Sequence, residues 1–91
     1  MAFMLLHFET DDYDAWKRMF DSDPVARREA AKGHIILRGV DNPNEVFVRA
    51  EFDSAERGQS FRKRLLESGA LNTLNIKTEP TVVEAAEAVD Y

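Results

Sequence analysis

The stretch from Gly33 to Phe52, GHIILRGVDNPNEVFVRAEF, constrains this chain more than any other. It reads as two strands joined by a turn at Asp41-Asn42-Pro43-Asn44. Proline fixes φ there, and Asn and Asp close local side-chain hydrogen bonds. Closing the hairpin with Val40 opposite Glu45 sets Arg38 against Phe47, Ile36 against Arg49 and His34 against Glu51. On the other face Gly39 meets Val46, Leu37 meets Val48 and Ile35 meets Ala50, an apolar set fit for a cover of helices. The first face mixes His34, Arg38, Arg49 and Glu51 with Ile36, Val40 and Phe47. A one-residue slip would put charge on both faces, so this register is the expected one.

The flanking segments supply the rest of an α+β domain. Ala2 to Glu9 is nearly all apolar, as a strand covered on both faces would be. It sets Met4, Leu6 and Phe8 on one side and Phe3, Leu5, His7 and Glu9 on the other. Asp11 or Asp12 caps a helix whose Tyr13, Trp16, Met19 and Phe20 make an apolar stripe. Asp21-Ser22-Asp23-Pro24 interrupts it, and a second segment, Val25 to Ala31, stops at Lys32-Gly33. After the hairpin, Asp53 or Ser54 caps a further helix, with Glu56 placed for a capping box and Ala55, Gly58, Phe61 and Leu65 turned inward. A last strand lies within Leu71 to Thr78. Glu79-Pro80 breaks it, and Thr81 to Glu84 resumes as an edge.

The order β-α-β-β-α-β is the ferredoxin-like arrangement, a four-stranded antiparallel sheet with its helices on one face. Residues 1–91 are expected to form a single such domain, with 80–91 a C-terminal extension packed on a partner. A chain of 91 residues is near the small end of what folds unaided, burying roughly 60–65% of its unfolded surface. The bare sheet face would carry Phe3, Leu5, Ile36, Val40 and Phe47. That is too much apolar surface to leave wet, so a homodimer is expected.

The apolar first strand with its late His, Asp-Tyr-Asp-Ala-Trp opening the helix, the Phe-Asp-Ser-Asp-Pro break, Gly-His-Ile-Ile-Leu-Arg-Gly and Val-Phe-Val-Arg-Ala-Glu-Phe together resemble the dimeric α/β-barrel superfamily. That group includes small cofactor-independent antibiotic-biosynthesis monooxygenases, muconolactone isomerase and polyketide cyclases. The resemblance spans nearly the whole chain and implies two sheets facing each other across a two-fold axis, often with exchanged C-terminal arms. No residue signature ties the chain to one enzymatic member, so the resemblance carries over no catalytic residue.

Composition narrows the function. A net charge of −5 argues against nucleic acid or an anionic membrane as partner. There is no cysteine, hence no disulfide and no thiolate chemistry. Two distant histidines with scattered acids give no metal-ligand pattern, and no cofactor is implied. The start, MAFMLLHFE, has no basic lead and meets Glu9 early, so a cytoplasmic protein is expected.

His7 is the candidate base, because an imidazole exchanges protons near neutral pH. Arg38 and Arg49 are candidate anion binders, with Glu51 beside them, for the enolate or carboxylate of a small ligand. The competing reading makes His7 a seam histidine and Arg38, Arg49 and Glu51 an ion-pair set that fixes the dimer register. Tyr13 and Trp16 are core by helical spacing, and either can line a pocket between helix and sheet. Three classes remain: a cofactor-independent monooxygenase, cyclase or isomerase acting on a small enolisable or aromatic molecule; a non-catalytic small-molecule binder; and a purely structural dimer.

Overall fold

The computed structural model describes residues 1–91. Its elements are β1 (Ala2–Glu9), α1 (Tyr13–Asp21), α2 (Arg27–Ala30), β2 (Gly33–Arg38), β3 (Glu45–Phe52), α3 (Ala55–Ser68) and β4 (Asn75–Glu84). The strands form one antiparallel sheet in the order β2-β3-β1-β4. This is the expected ferredoxin-like α+β arrangement. The helices cover one face, and the other is open.

Strict alternation in the two central strands builds the core. Met4, Leu6 and Phe8 of β1 and Val46, Val48, Ala50 and Phe52 of β3 are buried beneath Trp16 of α1 and Phe61 and Leu65 of α3. Burying each large side chain contributes roughly 1.5–3 kcal/mol. Asp12 caps α1 by accepting from Ala15 N at 2.9 Å, and Ser54 caps α3 by accepting from Arg57 N at 3.2 Å. The cap on α3 is therefore Ser54, and the reach-back from Glu56 to Asp53 is not made.

The segment after α1 is tighter than its sequence suggests. Its helix is limited to Arg27–Ala30, because Pro24 and Val25 lie in a turn whose flanking residues, Asp23 and Ala26, both take positive φ (57° and 56°). Left-handed backbone costs a non-glycine residue roughly 1–2 kcal/mol. Asp23 offsets part of this by accepting from the backbone N–H groups of Arg27 and Arg28 at 2.8 and 3.3 Å.

The hairpin forms in a register one residue away from the expected one. Arg38 pairs with Val46, Leu37 with Phe47, Ile36 with Val48, Ile35 with Arg49, His34 with Ala50 and Gly33 with Glu51. The turn causes the shift. It takes in Val40, which is 99% exposed and lies off the sheet face on which it was expected, and it closes at Gly39, where a Cβ would meet the Asn42 carbonyl oxygen at 2.5 Å. Gly39 N donates to Glu45 O at 3.0 Å, Glu45 N to Asn42 O at 3.0 Å, and Asn44 N to the Asn42 side chain at 3.1 Å. Consequently Ile36 faces the helices, while Ile35 and Leu37 lie on the open face. His34 and Arg38 fall on the helix side, where β2, as an edge strand, lets them pack against the aromatic rings of α1.

β4 runs unbroken from Asn75 to Glu84, so Pro80 does not end it. The strand bulges instead. Three steps along β1, from Leu5 to Phe8, are matched by five along β4, from Ile76 to Thr81. Pro80 sits in this bulge, fully buried, where its missing N–H breaks no ladder bond, and its carbonyl accepts from Arg62 Nε at 2.6 Å. Gly58 of α3 lies against Val82, and a Cβ there would come within 3.2 Å of Val82 Cγ1. Of the expected C-terminal extension, residues 80–84 thus belong to the chain's own sheet, and 85–91 run on beyond it, exposed.

No helix is long and apolar enough to cross a membrane.

Candidate functional site

The open sheet face brings together the odd-numbered residues of β1 and β3. His7 pairs directly with Phe47, and their rings stack with centroids 4.0 Å apart at 14°. His7 Nε2 lies 3.1 Å from Glu45 Oε1, with both side chains half-buried. A carboxylate only accepts, so this contact places the imidazole proton on Nε2 and leaves Nδ1 as the basic nitrogen. Glu9 closes the same end of the sheet, and its carboxylate accepts from Asn42 Nδ2 at 3.3 Å.

Around this pair the face is apolar. Leu5 is 38% exposed, Phe47 37%, Ile35 42% and Leu37 54%. Arg49 pairs with Leu5 across β1 and β3, one step along the face from His7 and Phe47, and its guanidinium lies 5.1 Å from the Phe3 ring. It has no carboxylate partner within ion-pair distance. Glu51 lies further along, 3.9 Å from Lys32 Nζ.

Arg38 does not belong to this group. The register sends it to the helix side, where its guanidinium sits 3.9 Å from the Tyr13 ring and its Nε donates to Pro43 O at 2.8 Å. The structure therefore unites His7, Arg49 and Glu51 of the expected set on one face and separates Arg38 from them. Glu45, the partner of His7, was not among the expected residues. The alternation of β3 already placed it on the face of Phe47 and Arg49, but its position beside the turn hid its role.

Tyr13 and Trp16 serve a second place, between helices and sheet. Trp16 is buried in the stack Tyr13–Trp16–Phe20, with successive centroids 5.7 and 5.0 Å apart. With Met19, Leu6, Val48 and Leu71 it lines a small hollow of about 60 Å³ whose polar lining is Asp23 and Arg27. Tyr13 stays outside this hollow, under Arg38. No group of three or more His, Asp or Glu side chains converges anywhere in the molecule.

No family model matches the chain, and no curated protein matches it by sequence. Solved structures do share its fold. SnoaB, a cofactor-independent oxygenase from Streptomyces nogalater, superposes as a point variant with a TM-score of 0.70 at 17% identity, covering 99% of this chain and 96% of that one. An inferred antibiotic biosynthesis monooxygenase from Deinococcus radiodurans gives 0.66 at 14% identity, over 100% and 98% of the two chains. Another, from Bordetella bronchiseptica, gives 0.68 at 8%, over 97% of each. The chain thus has the fold of the antibiotic biosynthesis monooxygenase structures. At these identities the likeness is one of fold alone.

Proposed function

We propose that this protein is a homodimer whose open sheet faces meet, and that it activates a small enolisable or aromatic molecule without a cofactor. The observation that carries this reading is the His7–Glu45 pair, set on an apolar face beside an arginine that has no carboxylate partner. His7 Nδ1 takes the proton from an acidic C–H or phenolic O–H of the substrate. The electron pair moves onto the substrate oxygen, and Arg49 balances the charge that develops there. Glu45 holds the imidazole in the tautomer this requires. Phe47, Leu5 and Leu37 supply flat apolar walls, and the partner's face closes them off from water. The electron-rich anion is the shared starting point for oxygenation, in which it passes electrons to dioxygen as the oxidant, and for ring closure or isomerisation; the likeness in fold to a cofactor-independent oxygenase supports the first. Residues 85–91 reach the partner as an arm.

The test is hydrogen–deuterium exchange at the acidic C–H of small β-dicarbonyl probes in D₂O, followed by proton NMR. The wild type is expected to accelerate exchange, and His7→Gln to lose about 10²-fold or more of that acceleration. Exchange that is not accelerated, or that is equal in His7→Gln, rejects the reading.

A further inference from the structure

Arg27 is the charged residue among the buried ones, only 7% exposed. Its guanidinium packs 3.6 Å from the centroid of the Phe20 ring, and Nη1 donates to Phe20 O at 3.1 Å. The nearest carboxylate oxygen, on Asp23, stays 3.8 Å away, because that carboxylate is spent on backbone N–H groups. A guanidinium carries five N–H donors. A single backbone acceptor serves this one, yet none of its unpartnered nitrogens is sealed off. A buried cation so under-supplied with acceptors has hydrogen bonds left to give.

Arg27 forms one wall of a hollow of about 160 Å³ where α2 meets β2. The other walls are Arg28, Ala31, Lys32, Gly33 and His34. No carboxylate lines it. The Arg28 guanidinium has no acidic partner, and Lys32 reaches Glu51 and Asp53 only at 3.9 and 3.6 Å. A Cβ on Gly33 would meet nothing within 4 Å, so the mouth is open. The chain as a whole carries −5, so this corner is not the spill-over of a general positive excess.

We propose that the α2–β2 corner is an oxyanion site. It takes the phosphate or carboxylate group of a small molecule on Arg27, Arg28 and Lys32, with His34 at its rim. The site is independent of the His7 pair, since Gly33 faces Glu51 at one end of the sheet and His7 and Glu45 lie at the other. Arginine suits this task because its planar fork pairs with two oxygens at once.

His34 reports on the site. Its ring meets Phe20 edge-on at 5.0 Å. Burial first, then the cations Arg27, Lys17 and Arg28, hold its pKa below the ordinary value, with Asp21 opposing. Arg49 and Glu51 lie on its other side, along the flank of β2 and β3. A bound anion would reverse the sign of the local field and raise that pKa.

Only two histidines occur in the chain, so their ring signals are readily separated by NMR. The folded wild-type protein is titrated with inorganic phosphate, and separately with acetate, at constant ionic strength set by sodium chloride. A saturable shift of His34, with His7 unmoved and the His34 pKa raised, supports the site. Saturation by phosphate alone assigns phosphoryl ligands, and saturation by acetate alone assigns carboxylates. The exposed double variant Arg28→Gln/Lys32→Gln leaves the buried Arg27 in place and is expected to bind about tenfold more weakly or worse. Shifts that never saturate, that follow chloride equally, or that are unchanged in the double variant overturn the proposal.

Discussion

His7 adds little to the stability of the sheet, and this makes it testable. Its pair with Glu45 is only half-buried, and such a pair is worth no more than about 1 kcal/mol. His7→Gln should therefore lose proton transfer while its urea midpoint barely moves. A large loss of stability would mark His7 as a seam residue instead. His34 makes a different prediction. Its folded-state pKa is held below the unfolded value, so the unfolded chain binds the proton more readily. Its contribution to stability is intact above the unfolded value, near pH 6.5, and is lost as pH falls toward the folded one. The difference in unfolding midpoint between wild type and His34→Gln should shift across that window and be flat on either side. A pH-independent difference would contradict it.

At the scale of elements, the central strands were legible and the edges were not. Burial alternates without exception along β1 and β3, although β1 is apolar on both faces and was expected to be covered on both, whereas only the side of Met4, Leu6 and Phe8 is buried. β2 has apolar residues at three consecutive positions, Ile35, Ile36 and Leu37, so alternation alone does not orient it. The turn settles its register through the close approach at Gly39, which depends on backbone geometry that composition does not reveal. This is why Arg38, expected on the face of Phe47 and Arg49, lies over Tyr13 instead. The α3–β4 contact can be probed directly. Gly58→Ala gains up to about 1 kcal/mol in helix propensity, but the new methyl must push Val82 aside. We expect little or no gain in the wild-type background. In Val82→Ala, where the obstruction is gone, the same change should stabilise by about 1 kcal/mol. Identical effects of Gly58→Ala in both backgrounds would show that the contact is loose.

For the whole molecule, the decisive feature is the uncovered face. Leu5, Ile35, Leu37 and Phe47 are its exposed apolar residues, grouped around Arg49, and they are what the proposed dimer would cover. Sedimentation equilibrium should show a dimer at low micromolar concentration, and Leu37→Lys should give a folded monomer. A wild-type monomer would remove the closed pocket on which His7 depends. Because β4 continues to Glu84, truncation tests the arm only when made after Glu84; cutting after Glu79 would remove half a strand from the chain's own sheet.

The bulge in β4 is a length buffer. Two single-residue shifts, one between Leu5 and His7 and one between His7 and Phe8, set five steps of β4 against three of β1, and Ile76 and Val82 still both reach the helix side. Each shift takes up one residue without turning the strand over, because a bulge sets two residues against one. Deleting one residue between Lys77 and Pro80 should therefore remove one shift and leave Val82 in the core, and deleting two should straighten the strand. A third deletion would leave β4 a residue short, turning Thr81 onward to the wrong face and expelling Val82.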